Sequence, residues 1–172
     1  LDHDAFIGGV DYELNSKDNT SQFQVYTSAS YTNRDSYYGG LGGERTRQDS
    51  ISANNAFGTT RDLAWVNGVQ FTKAFKNTDV LTVGTEFNHT ETKDQILGYN
   101  RLIDQSVNAL GGYAQYEWKP SEKFTALIGT RVDNVKVEGD YSIGGISRGV
   151  DINQTAFSPR FTILYELLDD LK

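Results

Sequence analysis

The stretch "GGYAQYEWKPSEKFTALIGTRVD", residues 111–133, holds two runs of alternating apolar and polar residues joined by a handful of turn-formers. Gly112, Ala114, Tyr116 and Trp118 share one face, continued by Phe124, Ala126, Ile128, Thr130 and Val132. Tyr113, Gln115 and Glu117, then Thr125, Leu127, Arg131 and Asp133, share the other. A period of two puts successive side chains on opposite faces of a strand, so the stretch reads as a β-hairpin. What the apolar face touches, a protein core or lipid, decides the fold.

Composition narrows the choice. The chain has 172 residues, with 17 Gly against 2 Pro, 10 Tyr, 9 Phe and 2 Trp. Aromatic and β-branched residues recur in short runs, which favours strands. Mean hydropathy of -0.53 suits a water-soluble protein and equally a membrane barrel, half of whose strand residues face water. No run approaches the roughly 18 apolar residues of a spanning helix. With no Cys there is no disulfide or thiolate metal site. A net charge of -7 and a pI near 4.8 speak against nucleic acid as a partner. The chain opens "LDHDAFIGG" and closes "LLDDLK", with no signal-peptide pattern, so a piece of a longer protein is expected.

Seven alternating segments can be placed. They cover about residues 5–14, 22–34, 61–75, 81–88, 111–118, 124–133 and 157–167. Short turns, such as "NSKDN" (15–19) and "KNTD" (76–79), join the members of each hairpin. Long polar stretches, about 35–60, 91–109 and 134–155, are expected to be loops. Asn67 and Lys73 interrupt the apolar face of the third segment. Compact soluble domains seldom repeat long loops, whereas outer-membrane barrels alternate short turns with long loops. The expected fold is all-β: an antiparallel up-and-down meander within a large transmembrane β-barrel.

Aromatic rings gather at both ends of the apolar face, as expected where amphipathic rings sit at headgroup level. At the short-turn end stand Tyr12, Phe23, Phe75, Trp118, Phe124 and Tyr165. At the other stand Tyr31, Trp65, Phe87 and Phe157. Between them lie residues that are mostly small or aliphatic, such as Val10, Val25, Val83, Ala114 and Ile128, with Phe161 among them. A soluble β-sandwich, the competing fold, prefers its large residues in mid-strand. The opposite face carries Arg34, Glu86, Glu117, Arg131, Asp133, Arg160 and Glu166, too polar for a packed small barrel and suited to a wide lumen.

These residues carry a resemblance. "GGYAQYEW", then "LIGTRVD", then "FSPRFTILYEL" after one long stretch look like consecutive strands of a TonB-dependent outer-membrane receptor. The "G-x-R-x-D" strand of that family is matched by Gly129, Arg131 and Asp133. Its "S-P-R" strand is matched by Ser158, Pro159 and Arg160, and "VLTVGTEFN" resembles its hairpins. The resemblance spans the whole chain but only about a third of a barrel of about 22 strands with a plugged lumen. Nothing resembles the plug. It implies a receptor that takes a scarce, bulky ligand, a ferric siderophore or cobalamin, across the bacterial outer membrane. TonB supplies the energy by pulling on the plug, and no enzymatic chemistry or cofactor is implied. Whether a surface lipoprotein rides on the barrel is left open.

Two site readings follow. The polar-face residues named above hold a plug, or else pair with one another across the wall. Ligand contacts are expected from the long stretches: Tyr37, Tyr38, Arg45 and Arg47, then Tyr99 and Arg101, then Tyr141 and Arg148. Aromatic and Arg side chains suit anionic, ring-bearing ligands. Glu86 and Glu117 have no feature marking them as a catalytic pair. "YYGGLGGERT" lacks the Gly-Lys-Ser/Thr of a phosphate loop. His3 and His89 lie too far apart in sequence to suggest a metal site, and none is expected.

Overall fold

Seven strands follow one another along the chain: β1 (Asp2–Asn15), β2 (Ser21–Tyr37), β3 (Phe57–Ala74), β4 (Val80–Ile96), β5 (Arg101–Ser121), β6 (Phe124–Ile143) and β7 (Ile146–Tyr165). The computed structural model describes residues 2–39, 45–75 and 78–166. Each strand pairs antiparallel with the next, giving one seven-stranded sheet in the order β1 to β7. Lys76 and Asn77 of the expected turn and Leu167 of the seventh segment fall outside the described residues, as do 40–44 of the first long stretch.

No second layer covers this sheet within the described residues, which removes the sandwich alternative. The only buried hydrophobic residues among them are Ala53, Ala56, Ile96 and Ala126. Val25, Ala126 and Ile163 lie on one face of the same sheet, not opposed across a dry interior.

The apolar band of the sequence survives at full length on the face carrying Trp118. It occupies residues 6–14, 23–31, 63–71, 81–87, 110–118, 124–132 and 157–165 on successive strands. Ile128, in an interior strand, is 55% exposed there. The band does not follow the hydrogen-bonded rows. Its last residue on β7, Phe157, shares a row with Val132, Gly112, Thr85, Val69, Val25 and Tyr12, whereas its last on β1 is Phe6. The band therefore slides about six residues over six strand-to-strand steps. One residue is about 3.3 Å of rise and one step about 4.8 Å, so a level slab would cut strands tilted by roughly 35°. Closed barrels tilt their strands by about that much. Nine residues then rise roughly 22 Å, against about 25 Å for the apolar band of membrane barrels.

The expectation of three long loops is corrected. β4 runs to Ile96 and β5 starts at Arg101, joined by a single 3-10 turn, Leu97–Tyr99, closed by Asn100 at φ 46°. β6 and β7 meet at Gly144 and Gly145, both with positive φ, a two-residue turn that Gly-Gly serves well. Only the first connection is long, and it contains helix α1 (Arg47–Asn54), capped by Thr46 and Asp49. The reason lies in phase. Above the band on β5–β7, polar residues occupy the face carrying Trp118 and apolar ones the opposite face, including Val107, Val137 and Ile152 in one row. A search for one continuous apolar stripe ends where the stripe changes sides.

Candidate functional site

Most aromatic residues of the band collect at its rims, Phe161 at mid-band on β7 being an exception. Trp118 and Phe124 meet edge to face at 5.9 Å across the β5–β6 turn. Phe75, expected inside the third segment, lies just past β3, where its N–H donates to the Asp79 carbonyl, and its ring stands 6.4 Å from Tyr116. Tyr12, Phe23 and Tyr165 share that rim; Tyr31, Trp65, Phe87 and Phe157 stand toward the other. The two polar interruptions are satisfied locally. Lys73 donates to Thr20 and Ser21 at 2.8 Å each, and the Asn67 amide oxygen accepts from Thr27 at 2.8 Å.

On the opposite face, side chains lie flat across glycines. Tyr26, Gly68, Glu86, Gly111 and Asp133 form one hydrogen-bonded row, and Gln70, Gly84, Tyr113, Arg131 and Ser158 the next. A Cβ on Gly68 would run into the Tyr26 ring, one on Gly84 into Tyr113, and one on Gly111 into Asp133 and Arg131. The vacated space lets Tyr26 donate to Glu86 at 2.6 Å and Tyr113 to Gln70 at 2.7 Å. Asn88 also donates to Glu86, and Arg131 approaches it at 3.8 Å. Arg131 pairs with Asp133 at 2.8 Å and lies over the Tyr113 ring.

Of the polar-face candidates, Glu86, Arg131 and Asp133 thus come together, with Tyr26, Gln70, Asn88 and Tyr113 added. Sequence reading missed those four because the signal, a glycine opposite a large residue, exists only once the register is known. Glu117 stands apart, paired with Lys119 at 2.6 Å. Arg160 flanks a hollow of about 420 Å³ over Gly129, facing Arg131. Glu166 is corrected: it lies just beyond β7, its N–H bonded to the Lys123 carbonyl. Arg34 sits high on β2 and donates to Thr60, which donates in turn to Asp94. Asp94 also pairs with Arg101 at 2.8 Å, bracing the upper ends of four strands.

Of the ligand candidates, Tyr38, Arg45, Arg47 and Tyr99 lie in the connections, as expected, whereas Tyr37, Arg101, Tyr141 and Arg148 lie in strands. Tyr37 ends β2 and packs against Phe57, ring centroids 4.8 Å apart and tilted by 45°. Tyr38 follows it and accepts the Tyr99 hydroxyl on its carbonyl, tying the first connection to the second. Arg45 precedes the helix cap, and Arg47 opens α1. Arg101 opens β5. Tyr141 and Arg148 belong to strands, as direct cross-strand partners. With Ile143, Ile146 and Val150 they line an open hollow of about 510 Å³ near the β6–β7 turn. Its walls are apolar with one guanidinium, and Tyr141 is steadied by a 2.7 Å bond to Gln105. This arrangement can hold a greasy or aromatic body bearing negative charge.

A family model described as TonB dependent receptor-like, beta-barrel, matches residues 1–172. Among solved structures, the chain superposes on the ferric citrate transporter FecA in its unliganded form with a TM-score of 0.70 at 16% sequence identity. The match covers 96% of this chain and 25% of that one, so the chain spans a quarter of that transporter's length. At that identity the likeness is one of fold. No curated protein matches the sequence.

Proposed function

Because the chain belongs to the TonB-dependent receptor family of bacterial outer-membrane β-barrels, we propose that it forms about a third of the wall of a plugged barrel of about 22 strands. The banded face meets acyl chains and the glycine-slotted face lines the lumen. The observation that carries this reading is the slide of the apolar band, about one residue per strand, which matches a level slab crossing tilted strands. Family members transport rather than catalyse, and the whole receptor imports a scarce, bulky ligand of the ferric siderophore or cobalamin class with energy from TonB.

Within that wall the Glu86–Arg131–Asp133 network stiffens the lumenal surface, its charges largely answered by one another. Arg160 remains for a carboxylate of the plug. The ligand is met higher up, at Tyr141 and Arg148 on the β6–β7 hairpin, with Tyr37, Tyr38 and Tyr99 at the neighbouring rim. Uptake by cells producing the full-length receptor tests the reading. Radioactive iron as a siderophore complex, or labelled cobalamin, should accumulate and cease to do so when TonB is deleted. Accumulation unaffected by that deletion would defeat it. Brominated lipids should quench Trp118; quenching by a water-phase agent alone would defeat the face assignment.

A further inference from the structure

Above the band, the two faces of β5–β7 exchange character. Over residues 101–109, 134–143 and 146–155, the face that bears Trp118 carries Asp104, Lys136, Glu138, Asp140 and Asp151. The opposite face of the same segments carries two charges, Arg101 and Arg148. Arg101 is paired with Asp94 at 2.8 Å. Arg148 makes no ion pair or hydrogen bond with any of the described residues. Around it the wall is apolar and open. Ile143, Ile146 and Ile152 are 53%, 77% and 46% exposed, and the hollow of about 510 Å³ beside Tyr141 lies among them.

On the reading that the Trp118 face meets lipid and the other lines the lumen, the lumenal wall is greasier here than the outer surface at the same height. Water on both sides would not select that, and an exposed apolar patch of this kind marks a binding surface. Residues 132 to 141 of β6 span roughly 30 Å of strand, so Tyr141 stands well beyond the lipid-spanning section that a plug seals. What reaches the patch is then the imported ligand, and charge complementarity limits its chemistry. One guanidinium without a partner answers one anionic group, bidentately where that group is a carboxylate. Further carboxylates against the same wall would lose water and gain no cation. We propose that this hollow selects, within the ferric siderophore class, chelates with an apolar or aromatic exterior and one anionic group at the edge, and rejects polycarboxylate chelates.

The test offers radioactive iron to cells producing the full-length receptor as two chelates. One is a trihydroxamate with aromatic acyl arms and a single free carboxylate; the other is citrate. TonB-dependent accumulation is expected from the hydroxamate alone. Arg148→Gln should raise the KM of its uptake about tenfold at unchanged maximal rate, and Arg148→Lys should recover part of the loss. In outer membranes without ligand, a nitroxide at Ile152→Cys should be relaxed by a water-soluble nickel chelate. Accumulation from citrate, accumulation from neither chelate, or a KM indifferent to Arg148→Gln overturns the selection. So does a label shielded from nickel, which would put the plug on this wall. The receptor reading survives each of those results if labelled cobalamin or any iron chelate still enters in a TonB-dependent manner. Entry that persists without TonB sinks the receptor reading instead.

Discussion

The Tyr26 hydroxyl donates a 2.6 Å hydrogen bond to the Glu86 carboxylate although β3 runs between their strands. The bond exists because Gly68, their shared row partner, leaves the wall bare. Tyr26→Phe is expected to lower stability by about 1–2 kcal/mol, as loss of a bond to a charged acceptor does. Gly68→Ala should cost at least as much, although Ala is otherwise the better strand residue. In a Tyr26→Ala background the Gly68→Ala cost should vanish. Reversible unfolding in detergent measures all three; additive effects would contradict the coupling.

Ile128 lies at the middle of the band on β6, and Thr130 one position nearer its edge on the same face. Ile128→Arg should cost roughly 2–4 kcal/mol, and Thr130→Arg less, because the penalty for a cation falls away from the bilayer midplane. Equal costs in refolding titrations with lipid vesicles would remove the lipid boundary from this face.

Gly144 and Gly145 have φ of 61° and 86°, and the turn holds Tyr141 opposite Arg148. Gly144→Asn should be close to neutral, since Asn-Gly suits the same turn. Gly144→Val should cost about 1–3 kcal/mol. Hydrogen exchange of the upper β6 and β7 amides reports this directly, with protection lost in the Val variant and kept in the Asn variant.

The β1–β2 turn supplies a pH prediction. Asp18 accepts from the Ser16 hydroxyl at 2.5 Å, and from the Thr20 backbone N–H and hydroxyl. These bonds, that of Ser16 first, hold its carboxyl down to about 2. A depressed value means the turn's stabilisation is complete above the ordinary Asp range, near 3.9, and is lost as pH falls through the folded value. Carboxyl chemical shifts in micelles should therefore titrate near 2, and Ser16→Ala should move that midpoint upward. A midpoint at the ordinary value would refute the contacts.

At the upper end, Asp94 is nearly buried between Thr60 and Arg101. Asp94→Ala removes the acceptor of both Thr60 and the half-exposed Arg101 and is expected to cost about 1 kcal/mol. Local protection of the β3–β4 upper amides should fall with it. Unchanged protection would show the brace to be unimportant.

The sequence alone carried the strands where one face is greasy. A period of two that persists for nine residues between aromatic rims is a local property, readable on β6 or β7 without knowing any neighbour. It also marked Asn67 and Lys73 as exceptions on the face where they stand. Three things waited for the tertiary structure. The upper halves of the strands were hidden because the apolar stripe changes sides there, so a one-sided pattern search took Val137 and Ile152 for loop. The Tyr26–Glu86 and Arg131 networks were hidden because a glycine slot opposite a large side chain is defined by register between strands distant in sequence. The slide of the band was hidden because it is a property of all seven strands together, defined only once their register is known.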